Sequence, residues 1–369
     1  MRIGLVTADF FPNVGGVAAH VVEIGRAFVR AGHQVDVITL PLGDERAPVS
    51  QLFGMTVLRP AVPKAKPFFS WFMHRALKTY LKQQPVDFLH VHGLRPLEAT
   101  RGLDVPVIFT NHTSGFLKRI EKGVFERWRM ARRMSHVDSV LAPSQELAQA
   151  TIDVGYRGPV QFIANGVDEN RFVPAAPSLR ARWGIQPEEV VLLLARRLVE
   201  KNGVKVFAHA INQLKGRNIR VVFAGDGAER PDVEAILRNG GMLDRCLFLK
   251  NVPNAEMPQV YQSSDISVLP SFYEATSITG LESMACGLPL VGTRVGGIPT
   301  LIVDHETGLL VEPNSPDAIA TAIDSLLDQP ELRRAMGERA RQRVVEFFSW
   351  TRIAQQTTDA YQQCIRRAA

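Results

Sequence analysis

Near-continuous Val, Ile and Leu runs of strand length recur along this chain, each followed by an amphipathic stretch long enough for a helix. "RIGLVTA", "QVDVITL", "DFLHVHG", "PVIFTNH" and "SVLAPS" occupy the first half, and "VVLLLARR", "IRVVFAGDG", "CLFLKNV", "DISVLPS", "PLVGT" and "TGLLVEP" the second. A strand that faces water on one side alternates apolar and polar residues. An unbroken apolar run is instead covered on both faces, as in a parallel sheet flanked by helices. Each half therefore reads as a doubly wound α/β unit with a Rossmann-like parallel sheet. At 369 residues the chain exceeds one comfortable core, so two domains are expected. The expected division is 1–168 and 169–345, with a helix at 346–369. "NGVDENRFVPAAPSL", rich in turn formers and proline, is the linker candidate. Open sheets of this kind bind ligands beyond the carboxyl ends of their strands, in a cleft.

The remaining totals exclude several classes. No apolar run approaches a membrane span, and "MRIGLVTADFF" enters a strand directly without a signal-peptide layout. Cys246, Cys286 and Cys364 are scattered, which points to a reducing cytoplasm and away from disulfide or zinc frameworks. Residues 1–168 hold 20 Lys and Arg against 14 Asp and Glu, and the rest holds 23 against 23. The excess charge of +6 thus lies in the first half, the half expected to face an anionic partner. No nucleic-acid-binding motif accompanies it.

Polar and glycine signals cluster just after strands. Gly15-Gly16 follow the first strand and precede a helix expected from near Val17; bare N–H groups there suit an anion, although an ordinary glycine turn fits equally well. His112 ends a strand and would position a substrate or serve as a structural hydrogen-bonding residue. His90 and His92 are strand-end residues without a local carboxylate to complete a metal site. Arg196, Arg197 and Lys201 follow a strand of the second half, where cations suit a phosphate clamp or a solvated loop. Gly225 and Gly227 bracket Asp226 in a tight strand-to-helix turn.

"LPSFYEATSITGLESMACGLP" sets Glu274 and Glu282 eight residues apart around a short helix. Thr279 and Glu282 fit a capping box, which taken alone accounts for Glu282. Glu274 lies before the helix, where a carboxylate can accept sugar hydroxyls. Free N–H groups around Thr276, Ser277 and Ile278 would receive a phosphate. D-x-D occurs nowhere and no carboxylates cluster, so diphosphate charge would fall to Arg, Lys and helix dipoles, with no metal and no cofactor.

In order along the chain, "GGV", "FTNH", "APSQEL", "IANGVDENRFVP", "ARRLVEKNG", "FAGDGAER", the Glu274/Glu282 segment, "GGIPTLI" and "TGLLVEP" resemble the retaining GT-B-fold nucleotide-sugar glycosyltransferases of family 4. The resemblance covers almost the whole chain and implies metal-independent hexosyl transfer, with retention, from a UDP- or GDP-sugar to a saccharide or lipid-linked acceptor in glycan synthesis. It implies a role for Gly16 on the diphosphate or acceptor side, and places His112 beside the transferred sugar. Arg197 and Lys201 would grip the diphosphate, with Arg196 standing where many relatives have Gly. Glu274 would contact the sugar and Glu282 the ribose, with Asn165, Gly225, Asp226 and the backbone near Val252 completing the substrate contacts. "EATSITG" departs from the frequent loop type, which leaves the donor sugar open. The resemblance also implies that the terminal helix returns to the first domain. A nucleotide-sugar epimerase of the same fold and a non-catalytic nucleotide-sugar-binding protein are the alternatives; the former needs further acid/base carboxylates in the cleft.

Val62–Gln84 interleaves Phe68, Phe69, Trp71 and Phe72 with Lys64, Lys66, Arg75, Lys78 and Lys82 and contains no acid, and "LKRIEKGVFERWRMARR" carries seven cations against two anions. Such segments read as elements for an anionic membrane surface, or as helices with aromatics in the core and solvated lysines. The former reading places the protein in the cytoplasm, peripheral to the inner face of the plasma membrane.

Overall fold

The computed structural model describes residues 1–12, 15–41, 49–63, 66–112 and 114–368. Lys64 of the basic segment lies outside them. The chain divides into two compact units, Met1–Gly166 with Trp350–Ala369, and Val167–Ser349. Each carries one sheet, and together these give the two-domain GT-B fold.

The first sheet contains β1 (Arg2–Thr7), β2 (Gln34–Ile38), β3 (Val49–Leu52), β4 (Met55–Leu58), β5 (Phe88–His92), β6 (Val107–Thr110), β7 (Ser139–Ala142) and β8 (Val160–Phe162), in the order β3-β4-β2-β1-β5-β6-β7-β8. All its pairs are parallel except β3 with β4. That hairpin departs from the all-parallel expectation and has a local cause. Phe53 and Gly54 both adopt positive φ between Leu52 and Met55, the conformation a two-residue hairpin requires. Leu5 sits opposite Val37 on one side and His90 on the other, so the centre of the sheet is buried.

The helices of this unit are α1 (Gly16–Arg30), α2 (Lys66–Gln83), α3 (Leu94–Leu97), α4 (Ser114–Ile120), α5 (Val124–Met134), α6 (Gln145–Asp153) and the terminal helix Trp350–Ala368. α1 starts one residue before the expected Val17. The terminal helix is amphipathic: Trp350, Ile353, Tyr361 and Cys364 are buried, and it packs on α1. Tyr361 fills the space beside Phe28 and Phe88, with ring centroids 5.7 and 4.0 Å away. Along α2, Phe69, Met73, Leu77 and Tyr80 recur every three or four residues and are buried, leaving Phe68 58%, Trp71 57% and Phe72 36% exposed. At the start of α5, Val124, Phe125 and Trp128 are 83%, 70% and 53% exposed.

The second sheet contains β9 (Val190–Leu194), β10 (Ile219–Ala224), β11 (Cys246–Lys250), β12 (Ile266–Leu269), β13 (Leu290–Thr293) and β14 (Gly308–Val311) in the order β11-β10-β9-β12-β13-β14, all parallel. The helices are α7 (Val204–Gln213), α8 (Arg230–Gly240), α9 (Met257–Gln262), α10 (Ile278–Ala285), α11 (Ile298–Leu301), α12 (Pro316–Asp328) and α13 (Pro330–Phe347). A continuous core of Leu192, Leu194, Phe207, Val221, Phe223 and their neighbours fills the space between sheet and helices. Most of the linker candidate belongs to this unit: Val167 bridges to Ser349, and Phe172 is buried. Among the parallel strands the order reverses at β1/β5 in the first sheet and at β9/β12 in the second, and the loops after those strands flank a topological switch point.

Candidate active site

In the second unit the loop after β9 carries Arg196, Arg197 and Lys201, and the loop after β12 carries Ser271, Glu274 and the approach to α10. Two glycines let these loops and the loop after β10 pack tightly. Gly203 has φ +65, and a Cβ there would lie 1.8 Å from the Pro270 carbonyl oxygen. Gly225 has φ +146, and its Cβ would lie 2.1 Å from the Arg196 carbonyl oxygen. Only glycine satisfies both the backbone and the space. The Phe272 N–H donates to the Lys201 carbonyl at 2.9 Å and the Leu198 N–H to the Asp226 carbonyl at 3.0 Å, so three loops form one block.

Within that block the two adjacent arginines differ. Arg196 donates from Nη2 to the Glu274 carboxylate and from Nη1 to the Ser271 hydroxyl; the paired side chains are only 10% and 15% exposed. Arg197 and Lys201 are exposed, and no side chain among the described residues pairs with either. The sequence left open which arginine is available to an anion; the structure leaves Arg197 free and engages Arg196. Glu274 is further fixed by its carbonyl, which accepts from the Gly297 N–H at 3.0 Å. Ser271 is held through its own carbonyl by the Thr293 hydroxyl at 2.7 Å.

The capping-box expectation is corrected. The N-cap of α10 is Ser277, whose hydroxyl accepts from the Gly280 N–H at 3.3 Å, and Thr279 and Glu282 lie inside the helix. Glu282 is 6% exposed, and its Oε2 accepts from the Tyr261 hydroxyl at 2.8 Å. Burial, with the Glu282 carboxylate beside it, pushes the Tyr261 phenol well above its ordinary pKa, so it remains a donor. No acid occupies the first turn of α10, which leaves the positive end of its dipole unneutralised beside Thr276 and Ser277, both buried. Asp226 accepts from the Gly227 N–H at 2.9 Å and stands 3.7 Å from Arg230. Val252 is half-buried two residues beyond β11.

In the first unit the switch point holds a pocket of about 280 Å³ bordered by Thr7, Asp9, His92, Arg95 and Arg119. Gly15 caps α1 without a side-chain hydrogen bond, and Gly16 has open space where a Cβ would stand. His112 is half-buried beyond β6, and its Nε2 lies 2.9 Å from Nδ1 of His92. His20, on α1, faces the same pair, with ring centroids 4.5 Å from His112 and 5.4 Å from His92. Its Nδ1 lies 2.8 Å from the Asn165 amide oxygen, and its ring meets Trp350 edge-on at 5.3 Å. Asn165 is thereby placed against His20 in this unit. Burial lowers His20 to about 4 and His90 to about 3, and holds His92 and His112 well below the ordinary imidazole value. All four rings are neutral at pH 7.

Sequence reading missed His20, Ser271, Tyr261 and Gly297. His20 lies four residues past the Gly15-Gly16 pair, one helical turn along α1, and that spacing was the available signal. Tyr261 and Gly297 carry no local pattern, because they meet the site only through the sheet order.

Residues 14–171 match glycosyltransferase family 4 and residues 176–343 match glycosyl transferases group 1. The chain belongs to the group 1, family 4 glycosyltransferases and is a hexosyltransferase. It is similar to the D-inositol 3-phosphate glycosyltransferase of Xylanimonas cellulosilytica, 28% identical over 96% of this chain and 93% of that one. Sucrose-phosphate synthase of Thermosynechococcus elongatus superposes with a TM-score of 0.87 at 23% identity, covering all of both chains. HepE of Anabaena, solved with UDP-glucose, superposes at 0.81 with 18% identity, over 98% of this chain and all of that one. Among the described residues no helix is long and apolar enough to cross a membrane.

Proposed function

We propose that this glycosyltransferase moves a hexosyl unit, with retention, from a UDP- or GDP-sugar to a saccharide or lipid-linked acceptor, and that it needs no divalent ion. One observation carries the reading: Arg197 and Lys201 are exposed and unpaired on the block that also holds Arg196 against Glu274. Two cations beside a helix start with no acid in its first turn suit a diphosphate.

The donor sugar–phosphate bond breaks as the acceptor hydroxyl bonds to the anomeric carbon on the same face. The acceptor proton passes to a phosphate oxygen of the departing nucleotide, so no protein nucleophile is needed. Negative charge develops on that leaving group, and Arg197 and Lys201 stabilise it in place of a metal. Glu274 accepts hydroxyls of the donor sugar in the orientation Arg196 imposes. Glu282, oriented by Tyr261, meets the ribose, and backbone groups near Val252 meet the base. His112, neutral, hydrogen-bonds a sugar hydroxyl, and the bare amides at Gly16 serve the diphosphate or acceptor side. UDP-glucose in HepE supports a uridine donor, and the D-inositol 3-phosphate relative supports a hydroxyl-bearing acceptor.

A lipid-linked acceptor fits the exposed aromatics Phe68, Trp71, Phe125 and Trp128 on two cation-rich helices, which would dock on an anionic bilayer. A thermal-shift panel of UDP, GDP and ADP with their sugars identifies the donor. Transfer from that donor should collapse in Lys201→Ala and Glu274→Ala, and unchanged turnover in either removes the assignment.

A further inference from the structure

His90 has both ring nitrogens satisfied, by the Tyr361 hydroxyl and the Thr110 hydroxyl at 2.6 Å each. It is a hydrogen-bonded core histidine. His92 differs. It is 1% exposed, its Nδ1 shares a single proton with His112, and its buried Nε2 has no partner. An orphaned buried nitrogen is costly and wants a ligand. One nitrogen from each of His20, His92 and His112 lies within 4.8 Å of the other two.

The chemistry of this trio is that of a soft-to-borderline cation site. Each imidazole is uncharged at neutral pH, the form that ligates. The Asn165 amide oxygen can only accept, so the His20 Nδ1 carries the proton and its Nε2 offers a lone pair. A ligand histidine oriented by a carbonyl on its other nitrogen is the usual supporting arrangement of such sites. Three nitrogens suit Zn²⁺, Co²⁺ or Ni²⁺, whereas Mg²⁺ and Ca²⁺ want oxygen. Tetrahedral Zn–N bonds of about 2.1 Å set ligand nitrogens about 3.4 Å apart, which nitrogens already within 4.8 Å of one another reach by small ring rotations. The pocket that His92 borders gives an ion a path in.

We propose that His20, His92 and His112 bind one late first-row divalent ion, and that the bound ion excludes the sugar hydroxyl from His112 and so inhibits transfer. The binding stands on these three residues alone; the inhibition rests on the sugar-contacting role of His112 proposed above.

The test uses the full chain without a histidine tag. Co²⁺ is titrated and followed by its visible d–d bands, and Zn²⁺ is used to displace it. One Co²⁺ per chain is expected, with binding weakened at least about ten-fold in His20→Asn, His92→Asn and, through loss of ring orientation, Asn165→Ala. The exposed His305→Asn variant should bind as the parent does. Circular dichroism checks that each variant folds, and should His92→Asn fail, the His20 and Asn165 variants decide. No bound Co²⁺, or binding unchanged in the folded variants, overturns the site; donor-induced thermal stabilisation in the same sample would then leave the proposed function standing. Zn²⁺ that binds yet leaves the transfer rate unaltered overturns the inhibition.

Discussion

Arg196 and Glu274, 78 residues apart in sequence, join through a charge-assisted hydrogen bond at the switch point of the second sheet, while Arg197, one residue on, remains exposed. The loop after β9 carries this division of labour. Two residues past β9 the chain bends at Arg196, whose side chain meets the β12 loop, while that of Arg197 is exposed. Adjacent, chemically identical side chains should then give different mutational signatures.

Arg196→Ala strands a largely buried carboxylate. Stability of the second unit should fall by about 3 kcal/mol, read from urea unfolding, as expected when one partner of a buried pair is removed. Arg197→Ala removes no internal contact, so its stability should change by no more than about 0.5 kcal/mol. Its kcat should nevertheless fall about 100-fold, the usual cost of losing one donor to a developing anion. Equal effects of the two substitutions on stability would contradict the structure.

Tyr261→Phe deletes the hydroxyl that Glu282 accepts and leaves that carboxylate, 6% exposed, short of a donor. The cost should be about 1–2 kcal/mol. Donor KM should rise more than kcat falls if Glu282 meets the ribose. A KM identical to the parent's would separate Glu282 from donor binding.

Acid should destabilise the first unit well before its carboxylates are protonated. Burial holds His20 at about 4 and His90 at about 3, against about 6.5 in an unfolded chain. The unfolded chain therefore binds protons first as pH falls. Stability is fully present above about pH 6.5 and is lost progressively toward pH 4, with His20 alone accounting for about 3 kcal/mol of that loss. His92 and His112, shifted the same way, add to it. Urea midpoints at pH 7 and pH 5 measure the effect, and equal midpoints would mean that water reaches these rings.

Transfer should proceed undiminished in excess EDTA. Diphosphate charge balanced by Arg197, Lys201 and peptide dipoles leaves a chelator no activating ion to remove. Lost turnover, restored by Mg²⁺ or Mn²⁺, would require a different account of the leaving group.

Trp71→Ala combined with Trp128→Ala alters two exposed rings, 57% and 53% accessible, and should leave the melting temperature unchanged. Co-sedimentation with phosphatidylglycerol vesicles should drop about ten-fold if these rings enter an anionic bilayer. Equal sedimentation of parent and variant would detach the aromatics from any lipid role.

Legibility from sequence followed the range of each interaction. The six strands of the second unit were readable because each is a predominantly apolar run. β8, with the short polar-centred "VQF", was not, and neither was the β3–β4 hairpin, whose Phe53-Gly54 turn lacks the usual Asn-Gly or Asp-Gly signature. Glu274 and Glu282 were legible as a pair through their spacing. Their partners were not, since Arg196 and Tyr261 reach them only after β9, α9 and β12 have been assembled in three dimensions. The capping-box pattern at Thr279 misled because Ser277, two residues earlier, already satisfied the start of α10.

Trp350 and Tyr361 complete a core whose other walls are Phe28, Phe88 and His20. During synthesis those walls leave the ribosome more than two hundred residues ahead of the aromatics that close them. The inserted unit, Val167–Ser349, finishes emerging while the earlier one still lacks its last helix. The second lobe thus has its whole core available before the first does, and removal of Trp350–Ala369 would spare the former and leave the latter open.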